Sequence, residues 1–462
     1  MFIAREAELA RLKKAYASSE MEVIVLLGRR RVGKTELIKE SLQRTDFRHC
    51  YFFCGSSGEQ QDVQEFSDVL AKAYPDEAFS FSLFKQALTF VFKKSEQERI
   101  VLALDEFPNL LEDVPGVAKD LQELIDAYRS KGTSHLKLIL AGSYLSAMKQ
   151  TISPEGALYK REDFTLLLEP MDYYDAAGFT PSASPKEKAL AYSVFGGLPF
   201  CLQQMAKYPT LKDAVVESIL SPGETLSSFA GFVTDKELSK LAGANEVFTS
   251  LAQGNNTFSK LQGSTSFKEA TPLTRILKAL IDMDLIEKVA PINDKNNKKK
   301  SFYRIRDGYL SFYYHYIQPN RSALILMDPS TFYEHYIVPT LESDFAAKRF
   351  ETITKEYLIR QNRKNALPDL YEDIGTYWYD GPIQKKNGQF DVALRSGEKY
   401  LLVECKFTKD PLGLKVLNEE LRQTKELALP NVSLGFASLS GFALPKSVQD
   451  LYYCVTLDEM YR

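Results

Sequence analysis

Residues 22–35 read EVIVLLGRRRVGKT. The apolar run 23–27 predicts a strand buried on both faces, Gly28–Thr35 fits the pattern G-x-x-x-x-G-K-[ST], and the helical stretch ELIKESL follows at once. In a strand, glycine loop and helix taken in that order, the backbone of Gly28, Arg29, Arg30, Arg31, Val32 and Gly33 wraps phosphate oxygens. Lys34 then reaches the β and γ oxygens of a nucleotide, and the Thr35 hydroxyl coordinates Mg²⁺ at the positive end of the helix. The bland alternative is a glycine turn with a solvated basic cluster, and the flanking strand and helix argue against it.

Working outward, HCYFFCG (49–55), RIVLALDE (99–106) and LKLILAGS (136–143) repeat the apolar run, with amphipathic stretches between them. Continuous apolar strands spaced by helices are what a parallel sheet covered on both faces requires, so residues 1–205 are expected to be a three-layer α/β domain. RIVLALDE ends in Asp105-Glu106, at the sheet edge where the glycine loop also lies. There Asp105 would hold Mg²⁺ through water, and Glu106 would orient and deprotonate an attacking water.

Composition limits the rest. The chain has 462 residues, and 58 Lys and Arg nearly cancel 61 Asp and Glu, so any nucleic-acid site has to be a local patch. Cys50, Cys54, Cys201, Cys405 and Cys454 are an odd, scattered set, which fits a reducing cytoplasm better than a disulfide framework. The opening MFIAREAELARLKK lacks a signal peptide's apolar stretch, and no run approaches the ~18 apolar residues of a spanning helix. A cytoplasmic protein with no membrane partner is expected.

After Gly196-Gly197-Leu198-Pro199 the strands stop. Residues 206–325 read as a helical lid followed by helices near 244–253, 257–263 and 270–283 and by two short strands around a basic tip, which together suggest a winged helix-turn-helix. Its recognition helix would present Lys268, Thr274, Arg275 and Lys278, and the tip holds Lys295, Lys298, Lys299, Lys300, Arg304 and Arg306 against Asp294. Such a patch suits DNA phosphates, while a winged helix used as an interdomain module is the competing reading.

Residues 326–462 form a second α/β unit: a helix near 343–361, strands GTYWYDG, GQFDVAL and KYLLVECKF, a helix near 413–429 and a last strand near 432–438. Glu404 and Lys406 are two apart on one strand and share a face. A four-residue hairpin loop at 396–399 would set Asp391 directly opposite Glu404, and Glu351 in RFETITKEYL adds a third carboxylate from a helix. Hard oxygen ligands suit Mg²⁺ or Mn²⁺, with Lys406 stabilising charge or orienting a nucleophile. The alternative is a buried structural ion pair between Glu404 and Lys406.

Phe2-Ile3-Ala4-Arg5-Glu6 with Leu9, the loop Gly28–Thr35, Asp105-Glu106, LILAGS ending in Ser143, and Gly196-Gly197-Leu198-Pro199 resemble the archaeal-type P-loop ATPases of the AAA+ and signal-transduction ATPase assemblage. The resemblance implies ATP binding with slow or regulated hydrolysis, and self-association through the ATPase domain into a homo-oligomer. It also implies Arg5 and Glu6 near the adenine and Ser143 as a polar sensor between loop and γ-phosphate. Arg161, in LYKRED, stands at the position of an arginine finger, with Lys160 where relatives carry glycine. The hairpin GQFDVALRSGEKYLLVECKF resembles the PD-(D/E)xK, restriction-endonuclease-like superfamily, with Phe390 in place of the namesake proline. That likeness implies Asp391 and Glu404 as metal ligands, Lys406 as catalytic lysine and Glu351 as the helix carboxylate. The expectation is an ATP-binding and hydrolysing protein that acts on DNA through a Mg²⁺-dependent C-terminal domain; the alternative is a nucleotide-switched regulator or scaffold whose nuclease-like domain is inactive.

Overall fold

The computed structural model describes residues 2–143, 145–232, 241–295, 301–380, 387–427, 429 and 431–462. The chain divides into two compact units, Met1–Pro170 and Met171–Arg462.

The first unit runs α1 (Glu6–Ala17), β1 (Glu22–Leu27), α2 (Lys34–Gln43), β2 (Arg48–Phe53), α3 (Glu59–Ala73), α4 (Phe84–Lys94), β3 (Ile100–Asp105), α5 (Phe107–Asp113), α6 (Val117–Lys131), β4 (Leu136–Gly142), α7 (Leu145–Thr151) and β5 (Phe164–Leu167). The strands make a five-stranded sheet in the order β2-β3-β4-β1-β5. All its pairings are parallel. Every residue of β3 and β4 is buried, which explains why their sequences are unbroken apolar runs rather than alternating ones. Aromatic and aliphatic side chains of α3, α4 and α6, among them Phe66, Phe84, Phe92 and Leu121, cover one face. The fifth strand went unforeseen. It is a four-residue edge strand in which Leu166 alone is buried, so it carries almost no apolar signal.

The second unit opens on the segment containing the Pro185–Phe195 helix, which packs against a helix far along the chain, Ala347–Arg363. Two close approaches need bare backbone: a Cβ on Gly197 would lie 1.9 Å from the Met171 carbonyl oxygen, and one on Gly196 would lie 3.0 Å from the Gly308 nitrogen. The Glu356 carboxylate accepts hydrogen bonds from the Tyr173 N–H at 3.0 Å and the Tyr192 hydroxyl at 2.9 Å. Burial raises its pKa to about 7, outweighing those bonds. A carboxyl raised in the folded state supports folding fully below its ordinary range near 4.5, and that support is lost as pH climbs through about 7. Glu356→Gln is therefore expected to flatten the thermal stability of this unit between about pH 4.5 and 7, with a gain at pH 8 on the order of 1–3 kcal/mol by calorimetry. An unchanged pH profile would show that Glu356 ionises freely.

Helices Ala244–Ala252, Phe258–Ser264 and Ala270–Asp282 precede an antiparallel hairpin, β6 (Ile286–Val289) and β7 (Phe302–Ile305). Lys298, Lys299 and Lys300 lie outside the described residues. After the Ala347–Arg363 helix come β8 (Asp373–Asp380), β9 (Asn387–Ser396), β10 (Lys399–Lys406), the Leu414–Glu426 helix, β11 (Asn431–Ser438) and β12 (Tyr453–Thr456). They form a mixed sheet in the order β12-β11-β10-β9-β8. The last strand is thus β12, not the one near 432–438; it is a short edge strand with only Val455 buried. No helix among the described residues is long and apolar enough to cross a membrane.

Candidate functional site

In the first unit, β1 delivers the chain to Gly28, whose missing side chain matters because a Cβ there would lie 2.6 Å from the Leu168 carbonyl oxygen. The loop turns through positive φ at Arg31 and Gly33, and α2 begins at Lys34. Lys34 is buried, and its Nζ donates to the Gly28 carbonyl at 2.9 Å, the Arg29 carbonyl at 3.2 Å and Ser143 Oγ at 2.7 Å. The Thr35 hydroxyl donates to Asp105 Oδ2 at 2.6 Å. Glu106 sits in the left-handed region at φ 56°, an unusual conformation for a residue with a side chain. Its carboxylate accepts from the Ser143 N–H at 3.1 Å and from the Ser143 hydroxyl. Ser143 therefore joins Lys34 to Glu106 in one polar chain.

These positions follow from the parallel sheet. The loop after β1 and the ends of β3 and β4 emerge at the same edge, so Gly28–Thr35, Asp105, Glu106 and Ser143 converge although they lie far apart in sequence. The Thr35–Asp105 pair beside the first turn of α2 has the oxygen donors and helix-end polarity that a Mg²⁺–nucleotide pair needs. Arg5 bonds the Val32 carbonyl at 3.5 Å and the Glu169 carbonyl at 2.6 Å, which ties it to the loop. Arg161 is not brought to this site. Its guanidinium forks onto the Asp126 carboxylate of α6 at 2.9 and 2.8 Å. Tyr51, which sequence reading passed over, donates from its hydroxyl to Asp105 Oδ2 at 2.9 Å. Burial, then the Asp105 charge, push its pKa well up, so it remains a donor.

In the second unit, β9 and β10 pair with Ser396 opposite Lys399 and Val392 opposite Val403, a register that continued by one residue sets Asp391 opposite Glu404. The connecting loop is Gly397-Glu398, two residues rather than four, with Gly397 at φ 58° as a tight hairpin turn demands. Asp391 Oδ2 accepts from the Cys405 N–H at 3.0 Å, and Lys406 Nζ donates to Glu404 Oε1 at 2.5 Å. Burial, and next the neighbouring Asp391, raise Glu404 to about 8 and Glu351 to about 7. Burial also raises Asp391, against the Cys405 N–H and Lys406. Burial disfavours charge on Lys406 too, but Glu404 and Asp391 outweigh it and hold its pKa above the ordinary lysine value.

One more carboxylate belongs here. Glu420, on the Leu414–Glu426 helix, is 4% exposed, and its Oε2 is buried with no hydrogen-bond partner. Burial lifts it to about 7, with Lys406 pulling the other way and Asp391 adding to the rise. A helical Glu among Asn418, Glu419 and Arg422 has no sequence signal to separate it from a solvated face. Glu351, Asp391, Glu404 and Glu420 around Lys406 leave the cluster short of positive charge, and carboxylates pushed toward neutrality are the electrostatic result. Among the described residues no group of three His, Cys, Asp or Glu stands ready to hold a metal ion.

The Ala270–Asp282 helix and the residues leading into it expose Lys268, Thr274, Arg275 and Lys278, while Leu273, Ile276, Leu277 and Leu280 are buried. Its hairpin bases are paired: Lys295 with Asp373 at 2.7 Å, Arg304 with Glu287 at 2.6 Å, and Arg306 with Asp284.

Residues 2–205 match a family described as an ATPase domain predominantly from Archaea, and residues 313–424 match one described as archaeal and bacterial proteins of unknown function. With the glycine loop, Lys34, Thr35 and Asp105 assembled as above, the protein is a P-loop ATPase of archaeal type that binds nucleotide. An uncharacterized protein of Methanocaldococcus jannaschii is 28% identical over 442 residues, 95% of each chain. An uncharacterized ATP-binding protein of the same organism is 41% identical over 54 residues, 12% of this chain and 92% of that one. The Walker-type ATPase of Pyrococcus abyssi shares the fold, with a TM-score of 0.51 at 18% identity over 68% of this chain and 96% of that chain.

Proposed function

We propose that the protein is an ATP-dependent DNA-processing enzyme in three functional parts: an ATPase domain at 1–205, a lid and winged helix at 206–325, and a metal-dependent nuclease-like domain at 326–462. In the ATPase site Lys34 binds the β and γ oxygens, and Thr35 and Asp105 would hold Mg²⁺, which supplies charge neutralisation for the phosphates. Glu106 orients the attacking water and takes its proton, and Ser143 positions both Glu106 and Lys34. Ser143→Ala is expected to lower kcat for ATP on the order of tenfold to a hundredfold with little change in KM, read by phosphate release. An unchanged kcat would remove Ser143 from this role. A finger role for Arg161 in a homo-oligomer would require a neighbouring copy to displace Asp126 from its guanidinium.

The observation that carries the nuclease reading is the register of β9 on β10, which gathers Asp391, Glu404 and Lys406 on one face beside Glu351. Mg²⁺ is commonly held by one or two carboxylates with the rest of its shell water, so Asp391 and Glu404 suffice as ligands for it or for Mn²⁺. When bound, the ion would acidify a water and offset charge on a phosphodiester, while Lys406 stabilises the developing charge. The scaffold reading draws support from the direct Lys406–Glu404 ion pair, which occupies both groups with each other. Incubation with linear DNA in Mg²⁺ or Mn²⁺ separates them: cleavage supports the enzyme, and intact DNA supports the scaffold.

A further inference from the structure

The wing does not project as an isolated tip. Ile292, just past β6, lies in the hydrophobic core of the C-terminal sheet, and its N–H donates to the Thr376 carbonyl of β8 at 2.9 Å. Phe302 of β7 stacks on Trp378 of β8, with ring centroids 5.2 Å apart and planes 5° from parallel. These contacts fasten the wing to β8 and touch no reacting group. Tyr51 in the first unit differs, because its hydroxyl ends on a carboxylate of the nucleotide site. On β2, Phe53 pairs with Asp105 across the parallel ladder, and Tyr51, two residues earlier, shares its face. The Cys54 N–H donates to the Asp105 carbonyl at 2.8 Å, which ties the two strand ends together, and Lys39 of α2 lies over the Tyr51 ring, 5.5 Å from its centroid. So held, the Tyr51 hydroxyl donates to Asp105 Oδ2 at 2.9 Å, the same oxygen that accepts from Thr35 at 2.6 Å. Asp105 Oδ1 accepts from the Glu106 N–H at 3.0 Å. Asp105 is fully buried, so these three donors set the plane and direction of its carboxylate.

We infer that Tyr51 is a positioning residue for Asp105 and holds its carboxylate in the orientation that serves Mg²⁺ in a Mg²⁺–nucleotide pair. This rests on the reading of Thr35 and Asp105 as the groups that would hold the ion, and it gives that pair a third member. Two hydroxyls share Asp105 Oδ2, and they are not equivalent. The Thr35 oxygen is itself wanted by the ion, whereas Tyr51 has no ligand's duty and is left to fix the carboxylate. Hydrogen-bond partners that orient a ligating carboxylate typically contribute about tenfold to a hundredfold to metal affinity. The nucleotide's own contacts with the glycine loop and Lys34 do not pass through Tyr51, so its effect is confined to the part of nucleotide binding that depends on Mg²⁺.

Tyr51→Phe removes the hydroxyl and keeps the ring. The test is binding of a fluorescent ADP analogue to the full chain, first in EDTA and then over a Mg²⁺ titration, with melting temperature as the check on folding. In Tyr51→Phe the affinity in EDTA is expected to stay within about twofold of the unsubstituted protein, while the Mg²⁺ concentration at half effect rises about tenfold. ATP turnover is expected to be low at limiting Mg²⁺ and to recover when the ion is in excess. In an Asp105→Asn background the same substitution is expected to add less than about twofold, because the hydroxyl acts through that carboxylate. An unchanged Mg²⁺ midpoint in Tyr51→Phe, a loss as large in EDTA, or a shift of the same size beside Asp105→Asn overturns the role of Tyr51 and leaves the metal reading standing. An unsubstituted protein whose ADP affinity ignores Mg²⁺ overturns the metal reading and the role of Tyr51 together.

Discussion

Lys34→Ala is expected to reduce ATP turnover by about a hundredfold to a thousandfold, with nucleotide binding weakened as well. The size of the effect follows from how the amine is held. It is buried, it collects the carbonyls of Gly28 and Arg29, and it meets Ser143, which in turn meets Glu106. Removing it takes away the loop's fixed positive charge and unties the serine that positions the carboxylate. Asp105→Asn is expected to be milder for binding and severe for turnover, because the Thr35 and Tyr51 hydroxyls retain an acceptor while the charge is gone. Phosphate release and binding of a fluorescent nucleotide measure the two effects. Unaltered ATPase activity in Lys34→Ala would sink the assignment of the loop.

The second large effect is expected at the C-terminal cluster. Asp391→Ala and Lys406→Ala should each abolish DNA cleavage, by about a thousandfold or more, while ATPase turnover stays within about twofold. The pH dependence carries a sign that distinguishes this site from a structural ion pair. Glu404 is raised to about 8 and Glu351 and Glu420 to about 7, so below those values the cluster is largely protonated in the absence of a divalent ion. A metal has to displace those protons. Its apparent affinity should therefore rise about tenfold per pH unit for each proton displaced, up to about pH 8, and then level off. Titration calorimetry between pH 6 and 9 reads this directly. No divalent binding at any pH, or a pH-independent affinity, would remove the metal from the cluster.

Much of the first unit was legible because each signal was local. A five-residue apolar run and a glycine loop adjoin in sequence, a strand ending in two acids is a compact signal of its own further along, and a parallel sheet brings such ends to a common edge. The hairpin register was legible for the same reason, since the sum of paired positions is fixed once the turn is found. What escaped was of two physical kinds. The edge strands β5 and β12 bury one residue each, so they lack the apolar period that identifies a strand. Tyr51 and Glu420 act through side chains that meet their partners only in three dimensions. Neither a tyrosine in an apolar strand nor a glutamate in a charged helix differs by its neighbours from one with no role. The wing bases show the converse: Lys295, Arg304 and Arg306 form an evident basic patch in sequence, and in the fold each has an acidic partner.

The Phe302–Trp378 stack has one further use. Trp378 is the only tryptophan in the chain, and its indole lies at the seam where the wing meets β8. Excited at the red edge of its absorption, where tyrosine scarcely absorbs, that indole is a single intrinsic reporter at the seam, with no label to be introduced. Any emission shift or quenching on adding nucleotide, metal or DNA reports the solvent around one ring, so docking and release of the wing become observable in the unmodified chain, in real time.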